Sequence, residues 1–184
     1  MSLVFITGNE NKAKYFQRFI RVKFERRDID LKEIQSLDLK EIIKFKVFEA
    51  YGIVGLPVIV EDVSLELESL GNLPGTFVKF FLKAIGAGGL CDLLKDKSKN
   101  ATARCSIGYY NGDIFKTFEG LLNGKISEKP SCENSGFGWD SIFIPEGFDI
   151  TRAQMNEEDY EYTYLKLRRL DLLEDFLMSE MNMR

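Results

Sequence analysis

Three groups of residues in this chain could do chemistry. The first is Thr7-Gly8-Asn9-Glu10-Asn11-Lys12, set between the apolar run Leu3-Val4-Phe5-Ile6 and a segment of helical periodicity. A helix N-terminus exposes free backbone amides and partial positive charge, which attract phosphate. Gly8 lets an anion approach the backbone closely, and Lys12 adds a point charge on the first turn. The same residues also suit a plain helix cap, with Asn9 or Asn11 accepting from orphan amides. The fragment alone leaves both readings open. The second group is Glu61-Asp62, directly after Pro57-Val58-Ile59-Val60. The carboxyl end of a buried strand is where open α/β sheets bind ligands. One or two carboxylates with phosphate oxygens make an ordinary Mg²⁺ site, and a solvated strand end is the plainer alternative. Glu33, in Leu31-Lys32-Glu33-Ile34-Gln35, could join them. The third group is Phe137-Gly138-Trp139-Asp140, where the one tryptophan adjoins a carboxylate. An aromatic face beside a hydrogen-bonding acid suits a purine base. A core aromatic cluster with Ile142, Phe143 and Phe148 is the other reading.

Composition narrows the chemistry. The chain has 184 residues, with 25 Lys and Arg, 29 Asp and Glu and no histidine, for a net charge of −4. Without histidine there are no Ser-His or Cys-His nucleophilic pairs, imidazole bases or imidazole metal ligands. Proton and metal chemistry falls to carboxylates, lysines, tyrosines and cysteines. The acidic balance argues against a nucleic-acid partner. Cys91, Cys105 and Cys132 show no CxxC spacing, so neither a disulfide framework nor a zinc knuckle is expected, and a reducing cytoplasm fits. The longest apolar run, Ile53 to Val60, is far shorter than the ~20 residues of a membrane helix. The start of the chain shows no basic segment or cleavage site of a leader. No membrane partner is expected.

The elements that must position these residues alternate. Leu3 to Ile6 reads as a buried strand. A helix follows from Asn11, with Tyr15, Phe16, Phe19 and Ile20 at helical spacing. A strand is expected over Lys23 to Asp28, a helix over Leu39 to Tyr51 and a strand over Val58 to Val60. This order indicates an α/β layer with a mixed or parallel sheet. A short helix over Thr76 to Ile85 precedes two strands, Ala101 to Tyr110 and Ile114 to Leu121, joined by an Asn111-Gly112-Asp113 hairpin turn. One long helix is expected over Asn156 to Met178. No linker or repeat interrupts the chain, so a single domain over 1–184 is expected.

Taken together these motifs resemble the inosine/xanthosine triphosphate pyrophosphatases, which hydrolyse deaminated purine nucleotides. Thr7-Gly8-Asn9-x-x-Lys12 matches that family's opening phosphate motif, Glu33-Ile34-Gln35 its Glu-Ile-Gln segment, and Lys46 a phosphate-contacting lysine. Val60-Glu61-Asp62, Leu65, Leu70, Leu73-Pro74-Gly75 and Lys79 are similar to its metal and active-site stretch. Phe137-Gly138-Trp139-Asp140, Ile142-Phe143, Pro145-x-Gly147 and Ala153-x-Met155 follow in its order. The resemblance implies an elongated mixed sheet flanked by helices, with two lobes and a central cleft, assembled as a homodimer. It also implies hydrolysis of a nucleoside triphosphate to monophosphate and pyrophosphate with Mg²⁺. Glu33, Glu61 and Asp62 would then hold the metal, with Asp62 orienting or deprotonating water. Lys12 and Lys46 would clamp phosphates, with Thr7, Gly8 and Asn9 lining the cradle. Phe137, Gly138, Trp139 and Asp140 would receive the base.

The chain departs from the family near its C-terminal end. Tyr160 replaces a lysine, and Tyr164-Leu165-Lys166 stands where Ser-His-Arg is usual. Ser141 replaces a common proline. Three readings follow. The chain is a house-cleaning pyrophosphatase for ITP, dITP and XTP, a pyrophosphatase with altered base choice, or a non-catalytic nucleotide-binding paralogue. Losing the histidine and arginine donors predicts weaker discrimination between ITP and ATP, unless Arg152, Lys166 or Arg168 folds into the pocket.

Overall fold

The computed structural model describes residues 2–131 and 138–182. Seven strands form one sheet in the order β2-β1-β3-β5-β6-β7, with β4 paired to β3. β1 (Val4–Ile6) runs parallel to both β2 (Glu25–Arg27) and the start of β3 (Val58–Leu67). β4 (Pro74–Gly75) is antiparallel to β3 at Leu65 and Glu66. β5 (Asn100–Tyr110) lies between β3 and β6 (Phe115–Ile126), and β7 (Phe143–Pro145) is antiparallel to β6. The fold is therefore mixed α/β, as the alternating elements require. No helix among the described residues is long and apolar enough to cross a membrane.

The residues gather into two compact units, each discontinuous in sequence. The first comprises 1–62, 106–119 and 168–184. Its α2 (Leu39–Val54) puts Ile43, Val47 and Ala50 on one face and packs them against Val4, Ile6, Val58 and Val60. Asp38 caps this helix by accepting from the Lys40 amide, and left-handed Gly55 ends it. Phe5 alternates with Val4 and Ile6 and so faces the other side of the sheet. There it meets Phe16 of α1 (Glu10–Gln17) at 4.7 Å and Phe24 at 5.5 Å between ring centroids. α5 (Leu170–Asn182) brings Phe176 onto Tyr109 and Phe118. The second unit comprises 63–105 and 120–167. Its core includes Leu65, Leu67, Leu90, Leu94, Leu122, Ile142 and Phe143, all buried. It contains α3 (Val78–Leu93) and nearly all of α4 (Glu157–Arg168). A Cβ at Gly120 would lie 2.4 Å from the Leu167 carbonyl oxygen, so the approach of α4 to β6 demands glycine there.

Several elements differ from expectation. β3 does not stop at Val60 but continues to Leu67, so Glu61 and Asp62 lie inside a strand rather than at its end. Val63 to Leu67 alternates apolar and polar residues, a period-2 signal masked by the carboxylates before it. The parallel pairing with β1 nevertheless stops at Phe5↔Ile59, just short of both acids. α1 ends at Gln17, so Phe19 and Ile20 lie beyond it. α3 continues past Ile85 through a kink at Gly86. The expected long C-terminal helix is two, broken at Arg169 with φ 47°. Leu167, Leu170 and Leu173 keep helical spacing across that break, and neither glycine nor proline marks it.

Candidate active site

The first turn of α1 is capped as one reading expects. The Lys12 amide donates to Asn9 Oδ1 at 2.9 Å, and the Asn9 amide donates to Thr7 Oγ1 at 3.2 Å. Gly8 is exposed between them. A Cβ there would come within 3.1 Å of Asp28 Oδ1. This loop fixes the base of the Lys12 side chain relative to β1.

β3 sorts the charged residues by face. Val58, Val60 and Asp62 share the side covered by α2, whereas Glu61 points the other way, toward α1. Lys46 of α2 accordingly meets Asp62, its Nζ donating to Oδ2 at 2.6 Å and reaching Glu33 Oε1 at 3.5 Å. Burial disfavours the Lys46 ammonium, but Asp62 and then Glu33 outweigh it, so its pKa is raised. On the other face Lys12 Nζ lies 2.9 Å from Glu61 Oε1. Arg168 Nε and Nη2 donate to the two Glu61 oxygens at 3.2 Å each. The Glu61 side chain is fully buried. Burial pushes its pKa up, and Arg168 and Lys12 together overcome that and hold it below the usual carboxylate range. Two cations sharing one carboxylate leave a net positive cluster, which suits a polyanion.

Glu33, Glu61 and Asp62 are the expected metal ligands. Among the described residues, no three acidic or thiol side chains converge as a metal cluster. Glu33 and Asp62 both reach Lys46, and such hard oxygen donors fit the one or two carboxylates that Mg²⁺ takes beside phosphate. Glu61 is differently employed, with both oxygens on cations.

The base-pocket motif lies in the second unit. Phe137 is outside the described residues. Gly138 is exposed with φ 59°, and Trp139 and Asp140 are buried. Trp139 packs edge-on against Phe143 at 5.2 Å. Tyr160, standing in the lysine position, donates its hydroxyl to Asp140 Oδ2 at 3.0 Å. Arg152 Nη1 lies 3.3 Å from Asp140 Oδ1. Tyr164 is buried, whereas Leu165 and Lys166 are exposed, with the Lys166 ammonium 6.0 Å from the Tyr162 ring. Lys79 is exposed on α3. A groove of about 880 Å³ lined by Glu66, Arg104, Asn123, Lys125 and Phe148 contains none of the expected site residues.

The Glu61 cluster carries a pH signature. A carboxyl whose pKa is depressed by folding contributes stability that is fully present above its unfolded value, roughly 4.3, and is lost as pH falls through the folded value. The wild-type thermal midpoint should therefore fall more steeply than that of Glu61→Gln between about pH 6 and about pH 3. Parallel curves would show that another group carries the linkage.

Comparison with known proteins adds to this geometry. A model of the Ham1 family matches residues 3–164. The inosine triphosphate pyrophosphatase of Schizosaccharomyces pombe is 37% identical over 186 residues, 98% of this chain and 97% of that protein. Inosine triphosphate pyrophosphatase 2 of Trypanosoma cruzi is 42% identical over 159 residues, 84% of this chain and 81% of that protein. The solved HAM1 protein of Coxiella burnetii superimposes with a TM-score of 0.84 at 21% identity, covering 97% of this chain and all of that one, and so shows the same fold.

Proposed function

The chain belongs to the Ham1 family, and on that membership we propose that it is a nucleoside-triphosphate pyrophosphatase for ITP, dITP and XTP. It removes such nonstandard purine nucleotides by hydrolysis to monophosphate and pyrophosphate. The observation that carries this reading is the sorting of charge about β3. Lys12 and Arg168 share Glu61 on one face, and Lys46 bridges Asp62 and Glu33 on the other.

Each residue then has a task. Lys12 binds phosphate oxygens together with Thr7, Gly8 and Asn9 at the N-terminus of α1, and Lys46 binds them from the middle of α2. As phosphate draws Lys46 away, Asp62 is released to accept a proton from the attacking water. The water oxygen bonds to the α-phosphorus, the bond from that phosphorus to the bridging oxygen breaks, and the electron pair leaves on pyrophosphate. A divalent cation, Mg²⁺, held by Glu33 and Asp62 would neutralise charge on the phosphate oxygens. Glu61 acts on Lys12 and Arg168, keeping two cations together at a buried position. Phosphoryl transfer of this kind is largely positioning and electrostatics, so the lack of histidine is no obstacle. At the base end, Phe137, Gly138 and Trp139 receive the purine and Asp140 accepts from its ring N–H, as the motif implies. We place the chain in a reducing cytoplasm, where thiols such as the buried Cys91 and Cys105 stay reduced. A homodimer rests on the family pattern alone.

Pyrophosphate release from ITP, XTP, dITP, GTP, ATP and dUTP tests the reading, and an enzyme inert on all of them would overturn it. The competing expectation of altered base choice, motivated by exposed Leu165 and Lys166, would appear in the same panel as equal rates on ITP and ATP. Lys12→Ala and Lys46→Ala should weaken a triphosphate more than its monophosphate, each removing charge-assisted contacts of about 1.5–3 kcal/mol. Equal losses for both ligands, measured by calorimetry, would show that neither lysine reads the triphosphate tail.

A further inference from the structure

We propose that Arg152 supplies the base-reading donor that the missing histidine and arginine would give, acting beside Asp140 as a donor–acceptor pair for 6-keto purines. The inference rests on the pyrophosphatase reading and names the residue behind its base specificity. Its starting point is an imbalance. Arg152 is 3% exposed, and its Nε and Nη2 have no hydrogen-bond partner among the described residues. A charged donor buried without an acceptor is unfavourable, and such groups are rare in folded proteins. Lys166 cannot fill this role from its position, since it is exposed beside Tyr162, and Leu165 has no side-chain donor.

The guanidinium is also held in place. It lies 4.6 Å from the Tyr160 ring centroid and 5.6 Å from that of Trp139. Its backbone belongs to a 3₁₀ turn closed by a Thr151–Gln154 capping box, and the next amide, Ala153, donates to the Asp140 carbonyl at 3.0 Å. With Nη1 3.3 Å from Oδ1 and the Tyr160 hydroxyl donating to Oδ2, the carboxylate and guanidinium stand side by side.

That arrangement matches one class of base. Hypoxanthine, xanthine and guanine each present an N1–H donor next to an O6 acceptor. Asp140 accepts from the first and Arg152 donates to the second. Adenine presents the reverse, an N1 acceptor beside an amino donor, and is mismatched at both atoms. Because both protein groups are buried, the base edge must enter between the aromatic side chains rather than rest on the surface. Discrimination between ITP and ATP is then retained despite the lost triplet, contrary to the weakening that the sequence alone predicts.

Arg152→Lys is the first test, because it keeps a positive charge beside the buried Asp140 but loses the planar fork. The ratio of kcat/KM for ITP to that for ATP should fall about 10- to 100-fold, the scale of one or two charged hydrogen bonds. Asp140→Asn, which offers adenine N1 a donor, should lower the same ratio. An Arg152 that only supports the fold would lower both substrates together and leave the ratio unchanged. A wild-type enzyme without ITP preference, or an Arg152→Lys ratio within twofold of wild type, would overturn the inference while leaving pyrophosphatase activity established. Should the wild type hydrolyse no nucleotide, the pyrophosphatase reading fails. The inference is then judged by calorimetric binding of ITP against ATP, and equal affinity overturns it.

Discussion

Asp62→Asn is expected to lower turnover of ITP by about 10²- to 10⁴-fold, the usual contribution of a positioned general base. The substitution is conservative in shape. The asparagine carbonyl can still accept from Lys46, which now donates to Asp62 Oδ2 at 2.6 Å, so the position of that lysine should survive. The capacity to take a proton from water is lost, together with one negative charge toward the divalent cation, so the comparison is made at saturating Mg²⁺. The binding of a product monophosphate should therefore change little while kcat collapses, and this separates a base from a binding residue. Steady-state pyrophosphate release with parallel calorimetry checks both quantities. Full activity in Asp62→Asn would remove Asp62 from the base role and direct attention to Glu33, the other carboxylate on Lys46.

Much of this arrangement could be anticipated from local sequence, and the remainder shows what local sequence lacks. β1, α2 and the start of β3 announce themselves by unbroken apolar runs and helical spacing, because burial on the sheet dictates residue type. The Thr7-Gly8-Asn9 loop is visible for the same reason, since capping chemistry is local. Arg168 is different. It lies 107 positions from Glu61, beyond the stretch that matches the Ham1 family, and nothing nearby marks it as a partner of that acid. β7 spans only Phe143 to Pro145, too short to show a period. In the sequence Arg152 is one of three cations, with Lys166 and Arg168, that could enter the pocket, and only burial against Asp140 singles it out. Long-range ion pairs depend on which segments the topology brings together, and no window of sequence contains that information.

The Glu61–Arg168 pair yields the second large effect. Arg168→Met should cost about 3–5 kcal/mol of folding stability, the range seen when one partner of a buried ion pair is removed. The reason lies with the residue left behind. Glu61 is fully buried, while the Arg168 side chain is 13% exposed and that of Lys12 24% exposed. Without Arg168 the carboxylate keeps a single cation, and that one can turn toward water. Its desolvation is then poorly offset. Removing both charges is a different matter, because well-packed apolar side chains commonly replace a buried pair at little cost. Glu61→Leu combined with Arg168→Met should accordingly be more stable than Arg168→Met alone, even though it carries one more substitution, and Lys12 is exposed enough to be solvated in it. Urea unfolding of the wild type, both single variants and the double variant gives the complete cycle. An Arg168→Met protein within about 1 kcal/mol of wild type would mean that Lys12 alone satisfies Glu61. Catalysis gives the complementary readout. If Glu61 and Arg168 serve to hold cations for phosphate, the double variant should fold yet bind ITP weakly, separating the stability of the cluster from its task.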